Sequence, residues 1–204
     1  MNIIVIGGGA AGLMAAGTAA ECGARVTLFE TNEKVGRKLF ITGKGRCNVC
    51  NDCDVQGVLQ NVPVNPRFLY SALGCFSPAD VMAFFENHGV PLKTERGNRV
   101  FPVSDKSADI IDALFTWVKR SGVTIVHETV ESLALQDGRV TGVQAHGRVY
   151  PADRVIVATG GASYPQTGST GDGYRFAKAA GHTVVPPNRL LVAVVTPGGC
   201  EEVV

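Results

Sequence analysis

The sequence predicts an α/β fold built on a parallel sheet, and three observations predict it. The chain opens on a short apolar stretch, Asn2–Ile6, that runs into three consecutive glycines, Gly7 to Gly9. An alanine-rich, proline-free segment follows and leads into a second apolar stretch, Arg25–Phe29. Further on, Val130 to Tyr150 changes to strand-like alternation punctuated by Asp137-Gly138 and His146-Gly147, the pattern of an antiparallel β-meander.

Taken in order, Asn2–Ile6 reads as a strand buried on both faces, because its apolar run is continuous rather than alternating. Ala10 to Cys22, rich in Ala, Leu and Met, reads as a helix ending near Gly23, and Arg25–Phe29 as a second strand closed by Glu30. Strand, glycine turn, helix and strand form a βαβ unit with a right-handed crossover, so the parallel sheet is of Rossmann type. Glu33 to Asp54 is a long glycine-containing loop, a length that in compact domains points to function. Pro78–His88 and Ser107–Arg120 are helical by pattern; Ile110, Leu114 and Val118 form the apolar stripe of the second, with Ile111 and Phe115 alongside. Gly122 ends that helix and Val123–Val126 is a third strand. The meander separates it from Val155–Ala158, a further buried strand ending at Thr159-Gly160-Gly161. Gly171–Gly181 reads as a helix and His182–Val185 as a last short strand. There is no internal repeat, low-complexity segment or interdomain linker.

With 204 residues, 45% hydrophobic and 18% charged, the chain is long enough for one substantial domain with a buried core. A formal net charge of +1 creates no global field for nucleic acid or an anionic membrane, so neither is expected as a partner. The N-terminus has no signal-peptide pattern, and apolar runs such as Leu190–Val195 are shorter than a membrane span, so the expected location is cytoplasmic. The six cysteines are then expected as reduced thiols.

Gly7-x-Gly9-x-x-Gly12 alone is a weak signal in a chain with 25 glycines, but here it follows a strand and opens a helix. Gly7 permits the tight turn, Gly9 lets the backbone approach a pyrophosphate, and Gly12 lets the helix pack closely on the sheet. Glu30, at the end of the second strand, is placed to accept from ribose hydroxyls and would repel a 2′-phosphate. These residues suit FAD or NAD equally. Lys34, Arg37, Lys38, Lys44 and Arg46 cluster in one loop, interleaved with Gly36, Gly43 and Gly45. Such a loop can wrap an extended anionic cofactor; a solvated loop or a nucleic-acid patch has the same composition.

Cys47-x2-Cys50-x2-Cys53 has the start of an iron–sulfur ligand run, but the ferredoxin pattern wants a fourth cysteine where Gly57 stands, and a zinc site lacks a nearby further ligand. No metal is expected. His88, His127, His146 and His182 are scattered; His88 suits a helix end, where it meets C-terminal carbonyls.

Three stretches carry a family resemblance: Gly36-Arg37-Lys38-Leu39, Ile41-Thr42-Gly43-Lys44-Gly45-Arg46-Cys47-Asn48, and Thr159 through Gly173. Together they resemble the BaiN-like flavoproteins, bacterial FAD-dependent oxidoreductases of which one branch reduces enone double bonds of oxo-bile acids. The resemblance covers nearly the whole chain in family order. It implies that Gly7, Gly9, Ala10, Ala11 and Gly12 hold the FAD pyrophosphate and Glu30 the adenosine ribose. It implies that Lys38, Thr42, Gly43, Arg46, Cys47 and Asn48, with Arg37 in the same cationic loop, run along the ribityl chain toward the isoalloxazine. Val130 is implied as the backbone contact to adenine, and Thr159, Gly160 and Gly161 as a second strand-end approach to the cofactor. The implied reaction passes hydride from NAD(P)H through flavin N5 to a small organic acceptor such as an enone. No catalytic residue is assigned; Tyr164 is a candidate general acid, with packing as its other reading. Family chains continue with an inserted substrate domain and a C-terminal segment that completes the flavin site. Residues 1–204 are therefore expected to be an incomplete, N-terminal FAD-binding portion. Two other readings stay open: an NAD-binding dehydrogenase domain without flavin, and an FAD-binding fragment without turnover.

Overall fold

A computed structural model of the chain describes residues 1–186 and the backbone of one short antiparallel pair, Val195–Thr196 with Gly199–Cys200. Most of the Leu190–Val195 run and the Cys200 side chain lie outside the described residues.

β1 (Asn2–Ile6) passes through the glycine turn into α1 (Ala10–Glu21) and returns as β2 (Arg25–Phe29). After α2 (Arg37–Ile41) come β3 (Cys50–Asn51), α3 (Val55–Gln60), α4 (Tyr70–Cys75) and α5 (Pro78–Asn87). A hairpin of β4 (Leu92–Glu95) and β5 (Arg99–Pro102) leads to α6 (Ser107–Arg120) and β6 (Thr124–Val126). The meander is β7 (Val130–Gln136), β8 (Arg139–Ala145) and β9 (Arg148–Pro151), followed by β10 (Arg154–Val157) and α7 (Asp172–Ala179). The main sheet has the order β10-β1-β2-β6 and is parallel throughout, with Val5 opposite both Ile156 and Leu28.

The continuous apolar run of β1 is explained by what covers each side. Val5, with Val26 and Leu28 of β2, packs against Leu13 and Ala16 of α1 and Ile110, Leu114 and Val118 of α6. Ile4, Ile6 and Phe29 turn the other way, onto Val130, Val143 and Ala145 of the meander and Phe176 of α7. The sheet is thus the middle of three layers, with helices on one face and an antiparallel sheet on the other.

Local chemistry fixes the element ends. Ser77 and Asp80 form a reciprocal capping box at the start of α5, with Pro78 in its first turn. In α6, Asp109 lies in the first turn and Lys119 and Arg120 in the last, matching the helix dipole. Asp137-Gly138 and His146-Gly147 both have positive φ at both residues, the conformation of tight hairpin turns that match strand twist. His88 caps α5 with Nδ1 at 2.6 Å from the Phe84 carbonyl, as the sequence suggested.

Four readings of the sequence need correction. The segment expected as a loop, 33–54, contains α2, a 3-10 turn at Thr42–Gly45 and the short strand β3, which pairs with β5. The fourth parallel strand spans Arg154–Val157 and is the sheet's outer strand rather than a buried one, with Val157 exposed. His182–Val185 forms no strand: it has no ladder partner among the described residues, and Val185 is 81% exposed. The 22-residue stretch Pro66–Asn87 contains an 18-residue window with a mean hydropathy of 1.4, longer than the apolar runs noted in the sequence. Its backbone is extended at Phe76 (φ −148°, ψ 91°) and Ser77 (φ −81°, ψ 168°), which divides it into separate short helices.

α1 and α6 meet where Gly17 faces the Trp117 ring, whose indole N–H donates to Glu21 Oε1 at 2.6 Å. A Cβ at Gly17 would overlap that ring. Gly17→Ala should therefore destabilise the protein by about 1–3 kcal/mol, through overpacking. The loss should appear as a lower urea midpoint at unchanged slope; an unchanged or higher midpoint would contradict this packing.

Candidate functional site

The ends of β1, β2, β6 and β10 open onto one cavity of about 740 Å³, within the usual range for a small-molecule site. Its position outside the carboxyl ends of parallel strands is where open α/β sheets bind ligands.

The glycine turn forms one wall. Gly7 adopts φ +104°, and a Cβ there would stand 2.6 Å from the Ala158 carbonyl oxygen. A Cβ at Gly12 would overlap the carbonyl oxygen of Gly7, so α1 rests directly on the end of β1. Gly9 is different: nothing lies within 4 Å of a Cβ built there. It is the N-cap of α1 and provides no side-chain cap, so the first-turn N–H groups lack a side-chain acceptor. Those groups, with the helix dipole, favour an anion in the space beside Gly9.

Glu30, buried at the end of β2, holds the turn in place. Its Oε2 accepts from the Gly8 amide at 2.6 Å, and its Oε1 accepts from the Asn32 amide at 2.8 Å and the Asn32 side chain at 2.6 Å. The Gly8 carbonyl in turn accepts from Gly36 N–H at 2.8 Å, which fixes the start of α2. Asn32 reaches across to the Thr167 carbonyl and accepts from Arg37 at 2.8 Å. Lys38 donates to Ser163 O at 2.9 Å and Ser169 Oγ at 2.7 Å, so its ammonium joins α2 to the loop after β10. Thr159 Oγ1, on the cavity wall, is buried without a hydrogen-bond partner.

Of the residues singled out from the sequence, the cavity wall brings together Gly7, Gly9, Ala10, Ala11, Glu30, Arg37, Lys38, Thr42, Val130, Thr159 and Gly160. Gly12 lies behind it as a packing contact, and Gly161 lies outside it. Gly43 packs on Asn48 and Phe101, in a turn where Gly43, Lys44, Gly45 and Cys47 all have positive φ. Arg46 turns to a different surface. It is ion-paired with Glu95 and Asp105, and its guanidinium lies 4.1 Å from the Phe101 ring centroid. Within that cluster the Arg46 guanidinium holds Glu95 below the usual carboxylate range, and the Lys93 ammonium, together with Arg46, does the same for Asp105. Cys47 and Asn48 line a second, smaller cavity of about 160 Å³, whose walls share Ala10 and Leu39 with the first. Burial raises the Cys47 thiol and pushes Cys50 up to about 11, so neither is a ready thiolate. Among the described residues, no three His, Cys, Asp or Glu side chains gather in a metal-binding group. Tyr164 is off the cavity wall, in a left-handed backbone turn.

The sequence reading did not assign Asn32, Glu128, Asp172, Tyr174 or Phe176 to the site. Asn32 was within reach of inference, two residues beyond Glu30 in a polar turn. The others come to the cavity only through long-range packing.

Glu30→Ala should cost about 1–3 kcal/mol in the absence of any nucleotide, because it leaves the Gly8 amide without its buried acceptor. Glu30→Gln, whose carbonyl can still accept, should cost less. Urea unfolding of both variants checks this; equal stability of Glu30→Ala and the parent would remove Glu30 as the turn's anchor.

Residues 1–203 match the family model described as the HI0933-like protein Rossmann domain. The chain is 36% identical over 190 residues to the 3-dehydro-bile acid delta(4,6)-reductase of Clostridium scindens, covering 91% of this chain and 46% of that one. It is 32% identical over 192 residues to the ribosomal RNA dihydrouridine synthase of Escherichia coli, covering 94% of this chain and 47% of that one. The chain thus spans about half the length of these relatives. Its fold is similar to that of L-proline dehydrogenase from P. horikoshii, with a TM-score of 0.60 at 15% identity, over 91% of this chain and 57% of the other. Glycine turn, acidic strand end and parallel sheet therefore have a family, and the chain belongs to that of the HI0933-like protein Rossmann domain.

Proposed function

We propose that the main cavity binds FAD and that the protein serves an FAD-dependent reduction of a carbon–carbon double bond conjugated to a carbonyl, with NAD(P)H as electron donor. The observation that carries the cofactor is the cradle at Gly9: open space where a side chain would stand, faced by the uncapped first turn of α1. The orphaned Thr159 Oγ1, and the Arg37 and Lys38 cations on the same wall, also suit a long anionic, hydrogen-bonding ligand. The reaction type is supported by the names of two relatives. A 3-dehydro-bile acid delta(4,6)-reductase and a dihydrouridine synthase both saturate a double bond conjugated to a carbonyl.

In this reading the N–H groups of Ala10, Ala11 and Gly12 hold the pyrophosphate, with no intervening side chain. Glu30 keeps the turn rigid and offers its carboxylate to the adenosine ribose. Lys38, already fixed by Ser163 and Ser169, supplies a positive charge that does not need to be reorganised on binding. When bound, FAD would be held by the first-turn amides of α1, Glu30 and Lys38, and would supply the hydride-transfer chemistry linking nicotinamide to the acceptor's double bond.

The first acceptor reading is a small enone, and the expectation of a small-molecule substrate in the cytoplasm belongs with it. The 32% identity to a ribosomal RNA dihydrouridine synthase favours a second acceptor, the uracil ring of an RNA uridine. Purified protein should retain flavin absorbance bands through gel filtration after incubation with FAD. NAD(P)H oxidation should then be stimulated by a 3-oxo-Δ4 steroid on the first reading, and by uridine-containing RNA with formation of dihydrouridine on the second. A folded protein that takes up no flavin would overturn the proposal, and flavin-loaded protein that oxidises NAD(P)H with neither acceptor would overturn its reaction.

A further inference from the structure

The turn after α2 has a backbone that its own residues do not favour. Gly43, Lys44 and Gly45 are left-handed in succession, at φ 58°, 57° and 85°, and Cys47 follows at φ 62°. Lys44 and Cys47 carry side chains, and for them this region is uncommon because Cβ crowds the following carbonyl. Such a conformation persists only where the surrounding structure fixes it, and positions of this kind gather at functional sites. Here the turn has a place on both cavities. Thr42 opens it on the wall of the main cavity, and Cys47 and Asn48 leave it on the wall of the second.

Within the turn, the Arg46 and Cys47 amides donate to the Gly43 and Thr42 carbonyls at 3.2 and 3.0 Å. Those bonds close the turn, but the Arg46 side chain sets it against the rest of the protein. Its Nε donates to Asp105 Oδ1 at 2.8 Å, and its two terminal nitrogens fork onto the two oxygens of Glu95. The guanidinium also lies over the Phe101 ring, whose edge is 3.2 Å from where a Cβ at Gly43 would stand. Lys93 bridges the same two carboxylates, at 3.5 Å to Glu95 and 2.8 Å to Asp105. Two cations and two carboxylates thus tie the turn to β4, β5 and the entry to α6. A forked guanidinium fixes direction as well as distance, and a charge network holds where an isolated surface pair contributes little.

We propose that Arg46 is a positioning residue for the cofactor site: without touching the ligand, it holds the 42–47 turn in its left-handed shape, and so keeps Thr42 on the main cavity wall and Cys47 buried. This rests on the reading that the main cavity binds FAD. It gives Arg46 a role that acts through Glu95 and Asp105, where its place in a cationic loop suggests direct pairing with the cofactor. The Arg46 guanidinium is already engaged by two carboxylates, whereas Lys38, on the cavity wall, is a cation that faces the ligand space.

Two readouts on protein freed of nucleotide test this: the rate at which N-ethylmaleimide labels Cys47, resolved peptide by peptide by mass spectrometry, and FAD affinity by fluorescence titration. In the parent, Cys47 is 2% exposed and should label far more slowly than the exposed Cys22 and Cys75. Arg46→Gln keeps a hydrogen-bonding side chain without the charge. It should raise the Cys47 rate about tenfold or more by local opening and weaken FAD binding about tenfold, with Cys22 and Cys75 labelling unchanged. Arg46→Lys should fall between, since an ammonium cannot fork. Glu95→Gln and Asp105→Asn should move both readouts in the same direction as Arg46→Gln; asparagine suits the left-handed backbone of Asp105, so the substitution spares the chain. An unchanged Cys47 rate in Arg46→Gln, or a faster rate with parental FAD affinity, would overturn the proposal. Weaker FAD binding in Arg46→Gln with parental affinity in both carboxylate variants would also overturn it, as the pattern of direct contact. A folded parent that binds no FAD would overturn the cofactor reading, and the labelling rates would still decide whether Arg46 holds the turn.

Discussion

Three backbone segments meet without side chains between them at the top of the sheet. The carbonyl oxygen of Gly7 fills the space a Cβ would need at Gly12, and the Ala158 carbonyl stands where a Cβ at Gly7 would go. This contact sets the distance between β1, β10 and the first turn of α1, and everything at the site depends on it. Because α1 sits so low on the strand ends, its free amides face the cavity rather than solvent. Adding even a methyl group at Gly12 would lift the helix and move those amides away. Glu30 then secures the turn from the second strand, through the Gly8 amide.

The same sheet joins the two ends of the cavity. On its helical face, α1 and α6 clamp the strands through the core around Leu13 and Trp117. On its other face, Phe29 and Val130 pack with the meander, and Tyr150 extends that packing to Glu128. The meander is therefore more than a cover for the sheet, because it places a polar group at the far end of the cavity. Lys38 closes the near side by bridging α2 to the loop after β10. Four chain segments far apart in sequence thus share one wall.

Much of this was legible in the sequence where a local rule decides the outcome. β1, α1 and β2 follow from an apolar run, a glycine break and a helix former, and the two hairpin turns follow from Asp137-Gly138 and His146-Gly147. Non-local pairing was not legible. The β4–β5 hairpin went unseen because Lys93, Glu95, Arg96 and Arg99 mask its alternation, and its charges find partners only in space. Arg46 read as part of a cofactor-wrapping loop, but Glu95 and Asp105, 49 and 59 residues away, draw it to another surface. His182–Val185 has the composition of a strand without a neighbour to pair with, and strand propensity expresses little without one.

The central claim is that the open cradle at Gly9 is a pyrophosphate site for FAD, and Gly9→Ala tests it most directly. The backbone there is extended and no atom lies within 4 Å of the added Cβ, so the substitution should cost the fold less than about 1 kcal/mol. FAD titration followed by flavin fluorescence, alongside thermal unfolding of the nucleotide-free protein, separates binding from folding. The account predicts tight FAD binding by the parent and at least a roughly tenfold loss in Gly9→Ala, with a near-parental unfolding transition. Parental FAD affinity in a normally folded Gly9→Ala protein would contradict it.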